Sequence, residues 1–341
     1  MKNRQSEYDI LRSISTILVV CYHFSISSRT FPFWPQHSSI GMGQLGVCLF
    51  FALSGTALCL SNPTDKRLPL KRFFCRRFSS LFPMYYLAWF IFTIYFFWMN
   101  RNINDGIPTQ NILFTVFGMD GYLLYRYPTF YCVGEWFIGC IVLLYLCFPL
   151  LHAAIRKKPI ISAVAILTIY FLTNRFYTLE MVKERFFLIN LPIFTFGMYW
   201  SFYIQNAKST VKTVFGSICS IFFVLALFVG AKLHIPNNLF ILGITGYVAI
   251  YFLSLLLSKC SIFSKVGSVI SKYSYSIFLV HHVVQKHLDW HFSGQIVDNR
   301  EYLLIFIIYL LVTGVLSVAL FKVYHYLTKH MRNLFQCKPA Q

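Results

Sequence analysis

The sequence predicts an all-α fold: a polytopic integral membrane helical bundle of about ten transmembrane helices, with both termini cytoplasmic. Three observations carry that expectation. Of the 341 residues 57% are hydrophobic, 19% aromatic and only 12% charged, against roughly 25% charged in an average soluble chain. Apolar stretches able to cross a hydrocarbon core about 30 Å thick recur throughout, at about 13–30, 43–60, 79–98, 133–151, 159–173, 186–204, 213–231, 239–257, 273–289 and 302–324. Lys and Arg also divide unevenly between the two sides that these stretches define. With the N-terminus inside, 21 of the 30 are cytoplasmic; the other 9 are Arg29, Arg101, Arg126, Arg175, Lys183, Arg185, Lys232, Lys286 and Arg300. The positive-inside rule requires such an asymmetry. The net charge of +19 therefore reads as topology, and no nucleic-acid partner is expected.

The N-terminal arm, MKNRQSEYDILRS, runs charged into the first span with no small-residue cleavage site behind it, so that span reads as an uncleaved signal anchor. Within DILRSISTILVVCYHFSI, Arg12 and His23 stand eleven residues apart. On a helix this separation is about 1100°, three turns and about 20°, with about 16 Å of rise. Both side chains share one face. The arginine is expected near one membrane surface and the imidazole roughly halfway through the core. Ionisable groups are costly in hydrocarbon, so the pair points to function. The plainer readings are an interhelical hydrogen bond for His23 and a headgroup anchor for Arg12. Cys21, two residues before His23, could form a thioester, but apolar surroundings blunt a thiol. The ten cysteines are scattered without paired ligand spacing and read as packing residues, so no metal is expected.

The second span, QLGVCLFFALSGTALCLS, carries Gly46, Ser54, Gly55 and Ser61 among bulky residues. Small residues allow close helix approach; alternatively Ser54 and Gly55 line a passage for a substrate arm beside the His23 helix. The following link, NPTDKRLPLKRFFCRRFSSLFP, holds Lys66, Arg67, Lys71, Arg72, Arg76 and Arg77. Such a cluster suits a polyphosphate, because arginine offers planar bidentate donors, or it serves topology and lipid anchoring. The longest loop, Asn100 to Tyr131, is aromatic and contains glycine, and is expected to fold back on the outer surface as a lid or acceptor platform. Span four opens with YCVGEWFIGC, where Glu135 is the single carboxylate expected within a span. It could pair with a cation, orient a histidine, share a proton in the reaction, or sit at the outer interface beside Trp136. The fifth span is short enough to be tilted, bent or partly re-entrant. Span nine, YSYSIFLVHHVVQKH, places His281 and His282 side by side, so one can face the interior while the other faces lipid or a neighbour. With a tail of about fifteen residues after Tyr326, residues 1–341 are expected to form a single transmembrane domain with no appended soluble domain.

Taken together and in order, several segments resemble the membrane acyltransferase-3 family, whose members O-acylate bacterial surface polysaccharides and other exported glycans. They are LRSISTILVVCYHF, FFALSG, RRFSSLFPMYY, GEWFIGCIVLLYLCFP, LPIFTFGM and SYSIFLVHH, spread over most of the chain. The resemblance implies that Arg12 and His23 are required for acyl transfer. Family members carry two arginines three apart before the span-three proline; here Arg77 takes the first place and Ser80 the second, leaving Arg76 or Arg72 to substitute. Family donors are acyl-CoA thioesters, usually acetyl, and acceptors are sugar hydroxyls on lipid-linked or polymeric glycans. Members with an extra extracytoplasmic domain pass the acyl group to it; this chain is expected to act on its glycan directly.

On that basis the nucleotide of acetyl-CoA, or of another acyl-CoA, rests on Arg12, Arg72, Arg76 and Arg77. Its pantetheine arm rises between spans one, two and nine to His23. An imidazole, with an unperturbed pKa of about 6.5, can take the proton of a sugar hydroxyl. Glu135 and His281 complete the catalytic candidates, and Ser54 joins the donor-binding set. Ser54, a tyrosine of span nine or a backbone N–H is the expected oxyanion donor. A second mechanism makes His23 an acyl carrier. The setting is multi-pass, among lipids of the cell (plasma or inner) membrane. Two rival classes are a polysaccharide-precursor transporter or flippase, disfavoured by the lack of inverted repeats, and a scaffold, disfavoured by short loops.

Overall fold

The computed structural model describes residues 5–26, 29–30, 34–62, 68–100, 106–292, 295 and 298–335. Lys66 and Arg67 of the cationic link lie outside them. The long helices are α1 (Ser6–His23), α2 (Met42–Ser61), α3 (Leu70–Asn100), then, after the short α4 (Ile112–Val116) and α5 (Asp120–Leu123), α6 (Trp136–Lys157) and α7 (Pro159–Arg175). They continue with α8 (Phe187–Tyr199), α9 (Ser209–Val229), α10 (Leu239–Leu257), α11 (Ser261–Phe292) and α12 (Asn299–Phe335). A π-helical turn, Trp200–Ile204, prolongs α8, and a short antiparallel ribbon, β1 (Ser25–Ile26) with β2 (Arg29–Thr30), follows α1.

Seven of these are long and apolar enough to cross a membrane: α2, α3, α6, α8 with its π turn, α9, α10 and α12. The chain is a multi-pass membrane protein. The other three expected spans also lie on helices, but of different character. Glu7, Asp9 and Arg12 interrupt α1, polar residues break up α11, and α7 has 17 residues. Burial follows position in the bundle. Apolar on every side, α2 is central, whereas the outer helices turn large apolar residues outward, with Ile160, Trp98 and Leu150 each more than 70% exposed. An apolar surface of that extent requires lipid.

The first span differs from its expected range. The helix begins at Ser6 and ends at His23, and the chain leaves through extended Phe24 into the ribbon. Arg12 therefore lies about 9 Å along the axis and His23 closes the helix. The imidazole stands at the end of α1 instead of part-way along it. Elsewhere α1 is tied down by polar contacts to α11: Ser13 Oγ donates to the Gly267 carbonyl at 2.7 Å, and Ser271 Oγ donates to Asp9 Oδ1 at 2.7 Å.

Small residues set the α2–α8 crossing. A Cβ added at Gly55 would collide with the Phe194 carbonyl oxygen, and one at Gly197 with the Ala52 carbonyl oxygen. The backbones touch, and Thr56 seals the contact by donating to the Gly197 carbonyl at 3.0 Å. Of the two roles open to Gly55, close packing is the one the fold uses.

Candidate active site

Where α1 ends, α11 runs past it, and three imidazoles converge. The ring of His23 lies 5.1 Å from that of His281 and 5.5 Å from that of His282, centroid to centroid, and Tyr131 stands 6.0 Å from His282. The rings wall a chamber of about 20 Å³, completed by Val47, Phe50, Gly134 and Phe137 among others. On its other side His23 borders a wider cavity of about 480 Å³ that also contains His282, Trp136, Arg185, Asn190 and Gln285. His23 thus faces the protein interior, on the boundary between a narrow space and a wider one.

Of the paired histidines, the ring of His281 is buried. Its Nδ1 lies 3.1 Å from the Ile277 carbonyl and 2.7 Å from that of Phe278, while its Nε2 is buried with no partner among the described residues. The adjacent His282 does not turn away to lipid; it lines both spaces. No group of three or more His, Cys, Asp or Glu among the described residues is placed to hold a metal ion.

Glu135 is fully buried and not an interfacial residue. Its carboxylate accepts from the Cys132 N–H at 2.9 and 3.2 Å and from the Val133 N–H at 2.9 Å, so it folds back on its own loop instead of reaching a histidine or a cation. Gly134 makes the turn possible with φ +83°. The loop so held supplies Tyr131, Gly134, Trp136 and Phe137 to the chamber wall. Here the expected platform folds inward: Trp89 Nε1 donates to the Phe130 carbonyl at 3.0 Å, and Tyr85 OH donates to the buried Asp120 at 3.3 Å.

The basic residues gather at the opposite end, where α2 stops and α3 starts. Arg72, Arg76 and Arg77 line a cavity of about 240 Å³ with Ser61 and Asn62, and Arg77 Nε is buried without a partner among the described residues. Ser80, in the place of a second arginine, only donates to the Arg77 carbonyl at 2.8 Å. A neighbouring cavity of about 1150 Å³ adds Arg156, Lys157 and His152. His152 links the two, its Nε2 lying 3.1 Å from the Asn62 carbonyl oxygen. From Val47 to Ser61 the axis of α2 measures about 21 Å. The 480 Å³ and 240 Å³ cavities have no lining residue in common. Arg12, half-buried, lies on α1 between the two ends, and Ser54, also half-buried, borders none of these four cavities.

A family model described as an acyltransferase domain matches residues 5–322. The chain belongs to the acyltransferase-3 family. A relative named "Putative acetyltransferase ORF330", from Acidianus two-tailed virus, is 23% identical over 295 residues, covering 84% of each chain. No solved structure matches. The acyltransferase is thus an enzyme whose chemistry must bring an acyl carbonyl to an acceptor atom, and His23 and His282 are the imidazoles that border both spaces. Sequence spacing alone does not reach the rest of the wall. His282 reads there only as one of an adjacent pair and Arg185 as a topological charge; only tertiary folding places them with Tyr131, Asn190 and Gln285 around His23. The guanidinium of Arg185 sits 5.5 Å over the ring of Trp136, which holds both at the cavity.

Proposed function

We propose that this acyltransferase is an O-acyltransferase of the cell (plasma or inner) membrane. It moves an acyl group, in the first place acetyl, from acyl-CoA to a hydroxyl of a glycan or lipid-linked saccharide. The observation that carries the reading is the position of His23 on the wall of a 480 Å³ cavity at one end of the bundle, with a basic cavity at the other. The name of the viral relative favours acetyl. In this reading the chain crosses ten times, α1, α7 and α11 included, and both termini are cytoplasmic. The arginine end then faces the compartment that supplies acyl-CoA, and the His23 cavity opens toward the exported acceptor.

Arg72, Arg76 and Arg77, with Arg12 above them, hold the phosphates by charge-assisted bonds, and the unpartnered Arg77 Nε fits that task. His23 removes the proton of the sugar hydroxyl as its oxygen attacks the thioester carbonyl. The C–O bond forms, the C–S bond breaks, and the proton passes from His23 to the departing sulfur. The developing oxyanion forms in the 480 Å³ cavity, where the acyl carbonyl has room, and the Arg185 guanidinium on that wall is the candidate donor. Tyr275 of α11 is committed elsewhere, donating to the Leu81 carbonyl at 2.9 Å.

Membranes with and without the chain, supplied with acetyl-CoA, test this. Thiol release and an acetyl mass increment on the membrane glycans are expected only with the chain. His23→Ala removes both while the protein remains in the membrane, and Gln at Arg72, Arg76 and Arg77 together raises KM for acetyl-CoA at least 10-fold, since charged hydrogen bonds contribute about 1.5–3 kcal/mol each. Near-native transfer by His23→Ala refutes the assignment. Saccharide translocation without thiol release identifies a transporter.

A further inference from the structure

The geometry points to His281 as the positioning residue that holds His23 in the tautomer a base requires, acting from the narrow chamber. The inference rests on the assignment of His23 as the base and adds the group that orients it. His281 is 2% exposed. Its Nδ1 faces two carbonyl oxygens, which can only accept, so that nitrogen carries the hydrogen. Nε2 is then a pure acceptor, buried and unpartnered among the described residues. The ring it belongs to is 5.1 Å from that of His23, tilted by 58°.

The size of the chamber decides what can happen inside it. About 20 Å³ admits one water, which needs about 10–15 Å³ and two to four polar partners, but no sugar and no acyl chain. Polar partners are present: His281 Nε2, His282 Nδ1, also unpartnered, and the imidazole of His23. The two rings make no direct hydrogen bond, so an N–H of His23 turned toward the chamber reaches His281 Nε2 through one water. The other nitrogen of His23 is left as a lone pair on the side of the 480 Å³ cavity, which is large enough for a saccharide unit. Substrate meets one face of His23 while the protein fixes the other. In hydrolase triads a carboxylate has this role. Here the nearby carboxylate of Glu135 is engaged by two backbone amides, and a neutral imidazole takes its place. The proton of the hydroxyl goes to the cavity-side nitrogen of His23 and on to the CoA sulfur, so His281 gains and loses nothing.

The test compares His281→Leu and His281→Gln in the full chain, purified in detergent, with acetyl-CoA and glycans extracted from the producing membranes. Leu removes the acceptor; Gln returns an amide oxygen to the same place. For His281→Leu kcat is expected to fall about 100-fold or more with KM for acetyl-CoA unchanged within two-fold, and His281→Gln recovers at least ten-fold of the loss. Carbethoxylation of His23, followed by peptide mass, is an independent readout that needs neither substrate. It is expected to slow several-fold with Leu and recover with Gln. Unchanged kcat and unchanged His23 modification in a monodisperse His281→Leu protein overturn the inference, while loss of transfer in His23→Ala still upholds the base. Equal loss in Leu and Gln, with native thermal midpoints, also overturns it.

Discussion

Removing the Glu135 side chain separates two accounts of the same carboxylate. If it clamps the loop, Glu135→Ala leaves two fully buried N–H groups, those of Cys132 and Val133, without the acceptor they have at 2.9 Å. Each unsatisfied donor costs about 1–3 kcal/mol, so the variant loses about 2–6 kcal/mol, enough to lower the thermal midpoint clearly. Glu135→Gln keeps one acceptor oxygen but turns an NH₂ toward a donor, and should fall between Ala and the native protein. Activity should follow stability, because the clamped loop carries Tyr131, Gly134 and Phe137 onto the histidines. The assay pairs thermal unfolding in detergent with initial rates of thiol release, both read on Ala and Gln. A Glu135→Gln protein that melts like the native one yet transfers nothing refutes the clamp and makes the carboxylate a reacting group.

Two further outcomes are expected from the same preparations. Gly197→Ala must force α2 and α8 apart, because its Cβ meets the Ala52 carbonyl rather than a yielding side chain; overpacking of this kind costs about 1–3 kcal/mol, and loss of the Thr56 bond to the Gly197 carbonyl about 1 more. Gly314→Ala, with nothing within 4 Å, should keep the native midpoint; equal melting of the two variants would contradict the crossing. Burial pushes the Asp120 carboxyl, on the loop helix α5, up to about 6. The folded state thus holds its proton more tightly than the unfolded chain, so this residue makes stability fall as pH rises from about 4 to about 6, by about 3 kcal/mol, and stay level above. Asp120→Asn should flatten that part of the midpoint-against-pH curve, and an unchanged slope would count against it.

Membrane class was legible because it depends on composition and on the sign of loop charges, which act without tertiary detail. The shared face of Arg12 and His23 was legible for a similar reason, since helix periodicity fixes it. Depth was not. Span one was expected at 13–30, but α1 begins at Ser6 and stops at His23: three charged residues, Glu7, Asp9 and Arg12, are carried into the helix by contacts with α11, such as Ser271 to Asp9, that no local pattern announces. Glu135 illustrates a second limit. An acid at a span boundary looks like a catalytic or interfacial group, whereas its partners are backbone amides two and three residues back, visible only once the turn at Gly134 is known. His282 and Arg185 illustrate a third, because residues 23, 185 and 282 meet through three separate parts of the chain.

The use of carboxylates around the site bears on why imidazoles dominate it. Eleven Asp and Glu occur in the whole chain, and three of them are engaged in holding structure: Asp9 by Ser271, Asp120 by Tyr85, Glu135 by two amides. Glu184 does line the wider cavity, beside Arg185 and opposite in charge. Within the chamber itself no carboxylate is among the lining residues. A buried ion pair must recover the desolvation of both charges, whereas neutral imidazoles bring donors and acceptors into the apolar interior without that cost. On the proposed mechanism a base assembled from histidines puts no carboxylate in the chamber wall, and charge develops there as the hydroxyl proton arrives on His23. On that proposal the side chains best placed to feel the charge are His282 in the chamber wall and Arg185 in the cavity.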